Sequence, residues 1–353
     1  MTDPRSARPR PLAPHLRTPV GVAQIMRRVL YALAPALVAY VWFFGFGIVF
    51  NIIIAVAAAL VTEAACLRVR GQELPVFLGD YSAVVTGVLL AFALPPLTPW
   101  WITAMGSVFA IAVAKQAYGG VGNNLFNPAM AGYVALLVSF PEQLTNWLPP
   151  RMGDLDYEPL GLLASLQFTL TGALPTGFSL DAIARATPLD LMQNELGQMR
   201  TVEEIRGGFL FGDFGGRGWE WIGNFIALGG FWLLTRGIIR WHIPVGVLAG
   251  LLVCASIFFL SDPATHPSPG FHLFSGGALL CAFFIATDPV SAPSTERGRL
   301  IFGVGIGVLT YVIRSWGSYP DGIAFAVLLM NLAVPLIDRY TQPTVYGTGA
   351  PDR

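Results

Sequence analysis

Ten apolar runs follow one another along the chain, at 29–45, 47–67, 76–95, 100–117, 124–141, 219–238, 243–261, 271–290, 299–316 and 321–338. A bilayer core takes about 20 apolar residues per helix, and fewer where a helix is broken or shielded by protein, so each run predicts a membrane span. The runs fall into two groups of five, separated by a polar interval. The pattern predicts an all-α integral membrane protein of about ten transmembrane helices. Its parts are an N-terminal tail (1–28), a first five-helix half (29–141), a large loop (142–218), a second five-helix half (219–338) and a C-terminal tail (339–353).

Composition agrees. The 353 residues are 54% hydrophobic and 12% charged, where an ordinary soluble domain carries about 25% charged residues. The formal net charge is zero, so there is no basic surplus to hold a nucleic-acid backbone, and membrane lipid is the expected surrounding. The start, "MTDPRSARPRPLAPHLRTPVGVAQIMRR", is rich in Arg and Pro and leads into no short apolar core with a small-residue cleavage site, so it reads as a retained cytoplasmic tail. Cys66, Cys254 and Cys281 are far apart and form no CxxC or CxxH spacing, which gives no sign of an iron–sulfur or zinc site.

The arginines set the orientation, because Lys and Arg near span ends stay cytoplasmic. Arg5, Arg8, Arg10, Arg17, Arg27 and Arg28 precede the first span. With the N-terminus inside, the turns holding Arg68 and Arg70, Arg236 and Arg240, and Arg297 and Arg299 are all cytoplasmic, as is Arg339 after the last span. The opposite turns, "ALPPLTPW" and "SDPATHPSPG", hold no Lys or Arg. The interval 142–218 is thereby expected on the outer face, the periplasm of a Gram-negative cell, and both termini in the cytoplasm of a cell whose inner membrane holds the chain. The halves share short likenesses, "GVLLAFALPP" (87–96) with "GALLCAFFIATDP" (277–289) and "KQAYGG" (115–120) with "RSWGS" (314–318). An odd number of spans per half makes such a repeat inverted.

Ionisable groups at membrane depth usually face a cavity or a partner. Asp80, Lys115, Asp288, Arg314 and Asp321 lie at or near span ends, where an ion path and simple snorkelling to the interface are both open readings. "YGGVGNNLFNPAMAG" (118–132) interrupts the entry to the fifth span with glycines, asparagines and Pro128, and "FFIATDPVSAP" (283–293) closes the eighth with Asp288 before Pro289. Both read as broken helices with polar groups turned inward, which predicts a pocket for a polar ligand or cation; a kinked packing interface is the alternative.

Within the polar interval, "DAIARATPLD" (181–190) contains a helix start: Thr187 as N-cap, Pro188 at the first helical position and Asp190 near the third. The free N–H groups of such a start also form an anion site, so the N-cap role is compatible with a phosphate at Thr187.

Several longer stretches carry a family resemblance: "VWFFGFG" (41–47), "AKQAYGGVGNNLFNPAMAGYV" (114–134), "ATPLD" (186–190), "IRWHIP" (239–244), "FFIATDPVSA" (283–292), "RGRLIFG" (297–303) and "YPDGIAFAVLLMNLAVPLID" (319–338). From about residue 20 to its end the chain resembles the D subunits of Rnf (Rsx) electron-transport complexes, and more distantly the B subunits of sodium-pumping NADH:quinone oxidoreductases. The resemblance implies a urea-transporter-like fold of two inverted halves. It also implies FMN joined by a phosphoester to Thr187 and installed by an outer-face flavin transferase. Relatives often read "SGAT" where this chain has Ala184-Arg185-Ala186-Thr187, and Arg185 is expected to pair with the FMN phosphate. Riboflavin is expected as a second, non-covalent flavin in the bundle, with Asn123, Asn124, Asn127 and Asp288 as candidate pocket walls. Asp80, Lys115, Arg314 and Asp321 are candidates for the ion path. The implied partners are the membrane, iron–sulfur and outer-face flavin subunits of a complex that couples electron transfer between ferredoxin and NAD to movement of sodium ions or protons. No dinucleotide fingerprint or cysteine cluster is present, so the redox work of this chain is expected to be flavin-only. A flavin-free channel for a small polar solute, and an assembly scaffold, are the rival readings.

Overall fold

The computed structural model describes residues 21–151, 158–174, 186–319 and 321–343. Phe211 and Gly216 form an isolated β-bridge; the regular structure among the described residues is helical. In chain order the helices are α1 (Val22–Phe44), α2 (Gly47–Val69), α3 (Leu74–Leu78), α4 (Ser82–Ala93), α5 (Trp100–Val108), α6 (Pro128–Ser139), α7 (Pro141–Thr145), α8 (Leu162–Thr171), α9 (Pro188–Gly197), α10 (Val202–Arg206), α11 (Trp219–Thr235), α12 (His242–Ser261), α13 (Pro269–Phe274), α14 (Ala278–Leu280), α15 (Glu296–Trp316) and α16 (Ile323–Thr341). Two π-helices, Phe109–Gln116 and Cys281–Ile285, continue α5 and α14.

Five of these, α1, α2, α12, α15 and α16, are long and apolar enough to cross a membrane, and shorter apolar helices lie over the other runs. The architecture is that of an all-α membrane protein. The first helix begins at Val22, not at 29, because Arg27 and Arg28 ride on its end; long cationic stems allow that near an interface. The third run is split into α3 and α4. Between them Tyr81 takes a left-handed φ of 63°, and the Asp80 carboxylate accepts from Ser82 N at 2.7 Å and from Ser82 Oγ at 2.5 Å, which starts α4. The eighth run is split into α13, α14 and its π-helix. The break is at Gly276, with φ of 66°, where any side chain would collide with the Asp321 carboxylate.

Packing follows a repeated scheme. In the first group α2 packs on α4 and α5, and α6 packs on α5 and its π-helix; in the second, α12 packs on α13 and α15, and α15 on α16. The groups meet where α1 lies against α11 and α6 against α16. The α12–α15 crossing is made close by two facing pairs of small residues, Gly246 and Gly250 on α12 and Gly303 and Gly307 on α15. Such spacing brings backbones together where lipid offers no hydrophobic drive. A methyl group on Gly303 would lie 2.7 Å from the backbone oxygen of Ile243, whereas one on Gly305 would meet only the flexible end of Met330. Gly303→Ala should therefore destabilise by about 1–3 kcal/mol and Gly305→Ala by much less. Thermal midpoints in detergent would test the difference, and equal losses would contradict it.

Within 142–218, α9 and α10 share a small core: Leu189, Met192, Val202, Ile205, Leu210 and Phe211, completed by Phe271 of α13. Hydrogen bonds fix it to the bundle. Gln193 Nε2 donates to Gly317 O at 2.8 Å, and Val202 N donates to Ala264 O at 2.8 Å. Exposed Trp42, Trp100, Trp101, Trp221 and Trp316 mark the same end of the bundle, as interfacial tryptophans do.

Candidate functional site

Two cavities lie along the meeting surface of the two helix groups, one toward each end. One is lined by Tyr40 of α1, Phe92 of α4, Tyr133 of α6 and Trp219 of α11, and the other by Met26, Ser82, Pro128 and Leu233 of the same four helices. At 1.5 Å per helical residue, Met26 and Tyr40 stand about 21 Å apart along α1. The cavities therefore approach the bundle centre from opposite ends.

Thr187 lines the first cavity. Pro188 at the first helical position fixes the entry of α9, and Thr187 Oγ1 accepts from Asp190 N at 3.1 Å, so the expected N-cap is present. Aromatic rings form much of the wall, among them Phe92, Trp147, Trp219, Phe274 and Tyr319. Tyr40 Oη is buried without a hydrogen-bond partner. The Gly276–Gly277 break and Asp321 close one side, where Gly277 N donates to Asp321 Oδ2 at 2.9 Å. Behind them Arg314, 4% exposed, donates to His272 O at 2.6 Å, to Ser275 O at 3.1 Å and to Asp321 Oδ1 at 3.1 Å. Arg185 lies outside the described residues.

Burial pushes the Asp190 carboxyl above the usual carboxylate range. A value raised in the folded state means stability that is present at low pH and lost as pH rises through the folded-state pKa. Ionised Asp190 thus costs the loop stability at neutral pH. Asp190→Asn should flatten the pH dependence of amide exchange in α9 between about pH 4 and neutrality; an unchanged profile would exclude this role for the carboxyl.

The second cavity gathers Ser82, Thr86, Lys115, Asn124, Asn127, Thr287 and Asp288. Three of the four expected wall residues meet here; Asn123 is exposed and stands apart. The positive φ of Gly119, Gly120 and Gly122 turns the chain so that Asn124 and Asn127 are buried and Asn123 is not. Their amides are largely spent on the backbone. Asn124 Nδ2 donates to Phe126 O, Asn127 Nδ2 donates to Ile285 O at 3.1 Å, and Asn127 Oδ1 accepts from Met130 N. Asn331 Oδ1 accepts from Asn127 N, and Asn331 Nδ2 donates to Ser291 O, tying the two groups together beside the cavity. Asp288 Oδ2 accepts from Ser291 Oγ at 2.8 Å.

The ion-path candidates fall into two separate clusters. Arg314 and Asp321 are paired at the Thr187 end. Asp80 and Lys115 are joined through Ser82 at the other, where Lys115 Nζ donates to Ser82 Oγ at 2.6 Å and to Glu63 Oε1 at 2.5 Å. Glu63 is 1% exposed and also accepts from Gln116 Nε2 at 2.9 Å, while its Oε2 has no partner. Sequence reasoning passed over Glu63, although an acidic residue alone inside an apolar run was the signal for it.

The profile of the NQR2, RnfD, RnfE family matches residues 11–347. The chain belongs to this family. Among its relatives is the D subunit of the ion-translocating oxidoreductase complex of Alcanivorax borkumensis, 50% identical over 343 residues that cover 97% of each chain. The proteins of the same description from Escherichia fergusonii and Aliivibrio salmonicida are 48% and 47% identical, covering 95% of this chain and 97% of theirs. The resemblance drawn from the motifs is thereby borne out, and this NQR2, RnfD, RnfE family member matches these relatives over nearly its whole length.

Proposed function

We propose that the chain is the membrane flavoprotein subunit of an ion-translocating oxidoreductase complex, with FMN esterified to Thr187. The observation that carries this reading is the position of Thr187: a helix N-cap on the rim of an aromatic-walled cavity that contains the unpartnered Tyr40 Oη. The residues fit the group. The positive end of the α9 dipole favours a phosphate at Thr187, the rings supply stacking surfaces, and Tyr40 supplies a buried hydroxyl donor. A flavin so held would supply one- and two-electron transfer, and the protein would contribute placement and exclusion of water.

The wider reading has ten spans in two inverted halves, supported by the repeated packing scheme. Inner-membrane residence, cytoplasmic termini and a periplasmic Thr187 loop are supported by the distribution of arginines. The proposed partners are the membrane, iron–sulfur and outer-face flavin subunits and a flavin transferase, in a complex coupling ferredoxin and NAD electron transfer to Na+ or H+ movement. The cavity of Asn124, Asn127 and Asp288 is the proposed riboflavin site. The opposed cavities also favour a second reading, a flavin-free channel for a small polar solute. Flavin fluorescence of the denatured band, with the transferase co-expressed, separates the two: the wild-type band should fluoresce and Thr187→Val should be dark. A dark wild-type band would favour the channel.

A further inference from the structure

Two helices in the interval 142–218 are built in opposite senses. In α9 the apolar Leu189 and Met192 are buried and Asn194 is exposed, the arrangement of a helix standing in water. In α8, "LLASLQFTLT", hydroxyls are turned in and leucines out. Ser165, Phe168 and Thr169 are buried, and both hydroxyls are satisfied inside: Ser165 Oγ donates to Leu160 O at 3.1 Å and Thr169 Oγ1 to Ser165 O at 2.8 Å. The leucines face out, with Leu162 50%, Leu163 78% and Leu170 55% exposed, and the helix has no charged residue.

Position agrees with this arrangement. The helix packs on α2, one of the membrane-crossing helices. Its approach passes the turn between α1 and α2, where a side chain on Gly45 would touch Pro159 and Leu160. The exposed Trp42 lies three residues before that turn, and Arg151 sits over its ring at 5.1 Å. The leucine face thus continues the apolar surface of the bundle at the level where the interfacial tryptophans lie.

We infer that α8 is a membrane-embedded anchor, its leucine face in contact with the lipid acyl chains of the leaflet at the Thr187 end. The interval 142–218 is then held to the bilayer by its middle as well as by its two ends. A helix that turns Ser165 and Thr169 inward and leaves three leucines outside, with Gln167 and Thr171 as the exposed polar side chains, gains from a hydrocarbon surrounding and loses in water. This inference does not depend on the flavin.

The test uses the full chain with Cys66, Cys254 and Cys281 replaced by alanine, carrying Leu163→Cys or Asn194→Cys with a nitroxide label, in liposomes and again in the assembled complex. Collision with oxygen, which partitions into lipid, and with a water-soluble nickel chelate is read by power saturation. The label at 163 should favour oxygen over nickel about tenfold more than the label at 194, in both preparations. Nickel access at 163 equal to that at 194 would overturn the proposal in favour of a water-exposed helix. Loss of access to both reagents on assembly would overturn it in favour of a covering subunit. Leu170→Cys, at the other end of the exposed set, repeats the measurement if Leu163→Cys does not assemble.

Discussion

Lys115→Met is expected to destabilise the chain by about 3–5 kcal/mol, because it leaves Glu63 as an uncompensated charge in a closed interior. The pair is 3% and 1% exposed at its two side chains, so solvent compensates little for the missing ammonium group. The loss should spread, since Ser82 Oγ, which begins α4 with Asp80, is held by the same nitrogen. Combining Lys115→Met with Glu63→Gln removes both charges and keeps an oxygen for the Gln116 amide. The double variant should recover most of the stability, read as the thermal midpoint in detergent. A double variant no better than Lys115→Met alone would mean that the pair acts through something other than charge balance.

The Arg314–Asp321 pair should behave differently at its two members. Arg314→Met leaves two backbone carbonyls and a carboxylate without their donor, and a loss of about 3–5 kcal/mol is again expected. Asp321→Asn keeps the acceptor for Gly277 N and removes only the negative charge. The guanidinium is then uncompensated beside the Thr187 cavity and favours any negative charge gained there. Under the proposed function the flavin midpoint potential should rise, by an amount on the order of 59 mV for each tenfold change in the one-electron equilibrium. Redox titration of the flavin absorbance checks this, and an unchanged or lowered potential would separate Asp321 from the cofactor. Flavin content serves as the control for a collapsed cavity.

The apolar runs were legible because bilayer thickness imposes length, and each one corresponds to a helix or to an interrupted set of helices. The interruptions were only half legible. The fifth span announces its break with Asn127 and Pro128, but Tyr81 carries no mark of its left-handed backbone. The π-helices leave no residue signature either, since a shift of one hydrogen-bond register needs no particular side chain. Thr187 could be read as an N-cap from the threonine–proline pair alone, while its cavity is made by residues from helices spread between Tyr40 and Ala324, which no local window contains. The close crossing at Gly246, Gly250, Gly303 and Gly307 went unread, although its four-residue glycine spacing stands in the sequence. Asn123 looked equivalent to its neighbours in sequence, and only the turn geometry of the preceding glycines separates it from them.

The bonds from Gln193 to Gly317 and from Val202 to Ala264 have a consequence for how a carrier at Thr187 would exchange electrons. They fasten α9 and α10, respectively, to two separate turns of the bundle, so a carrier on Thr187 would sit in a berth and not on a swinging arm. Under the proposed function, a partner exchanging electrons there would have to supply the travel itself.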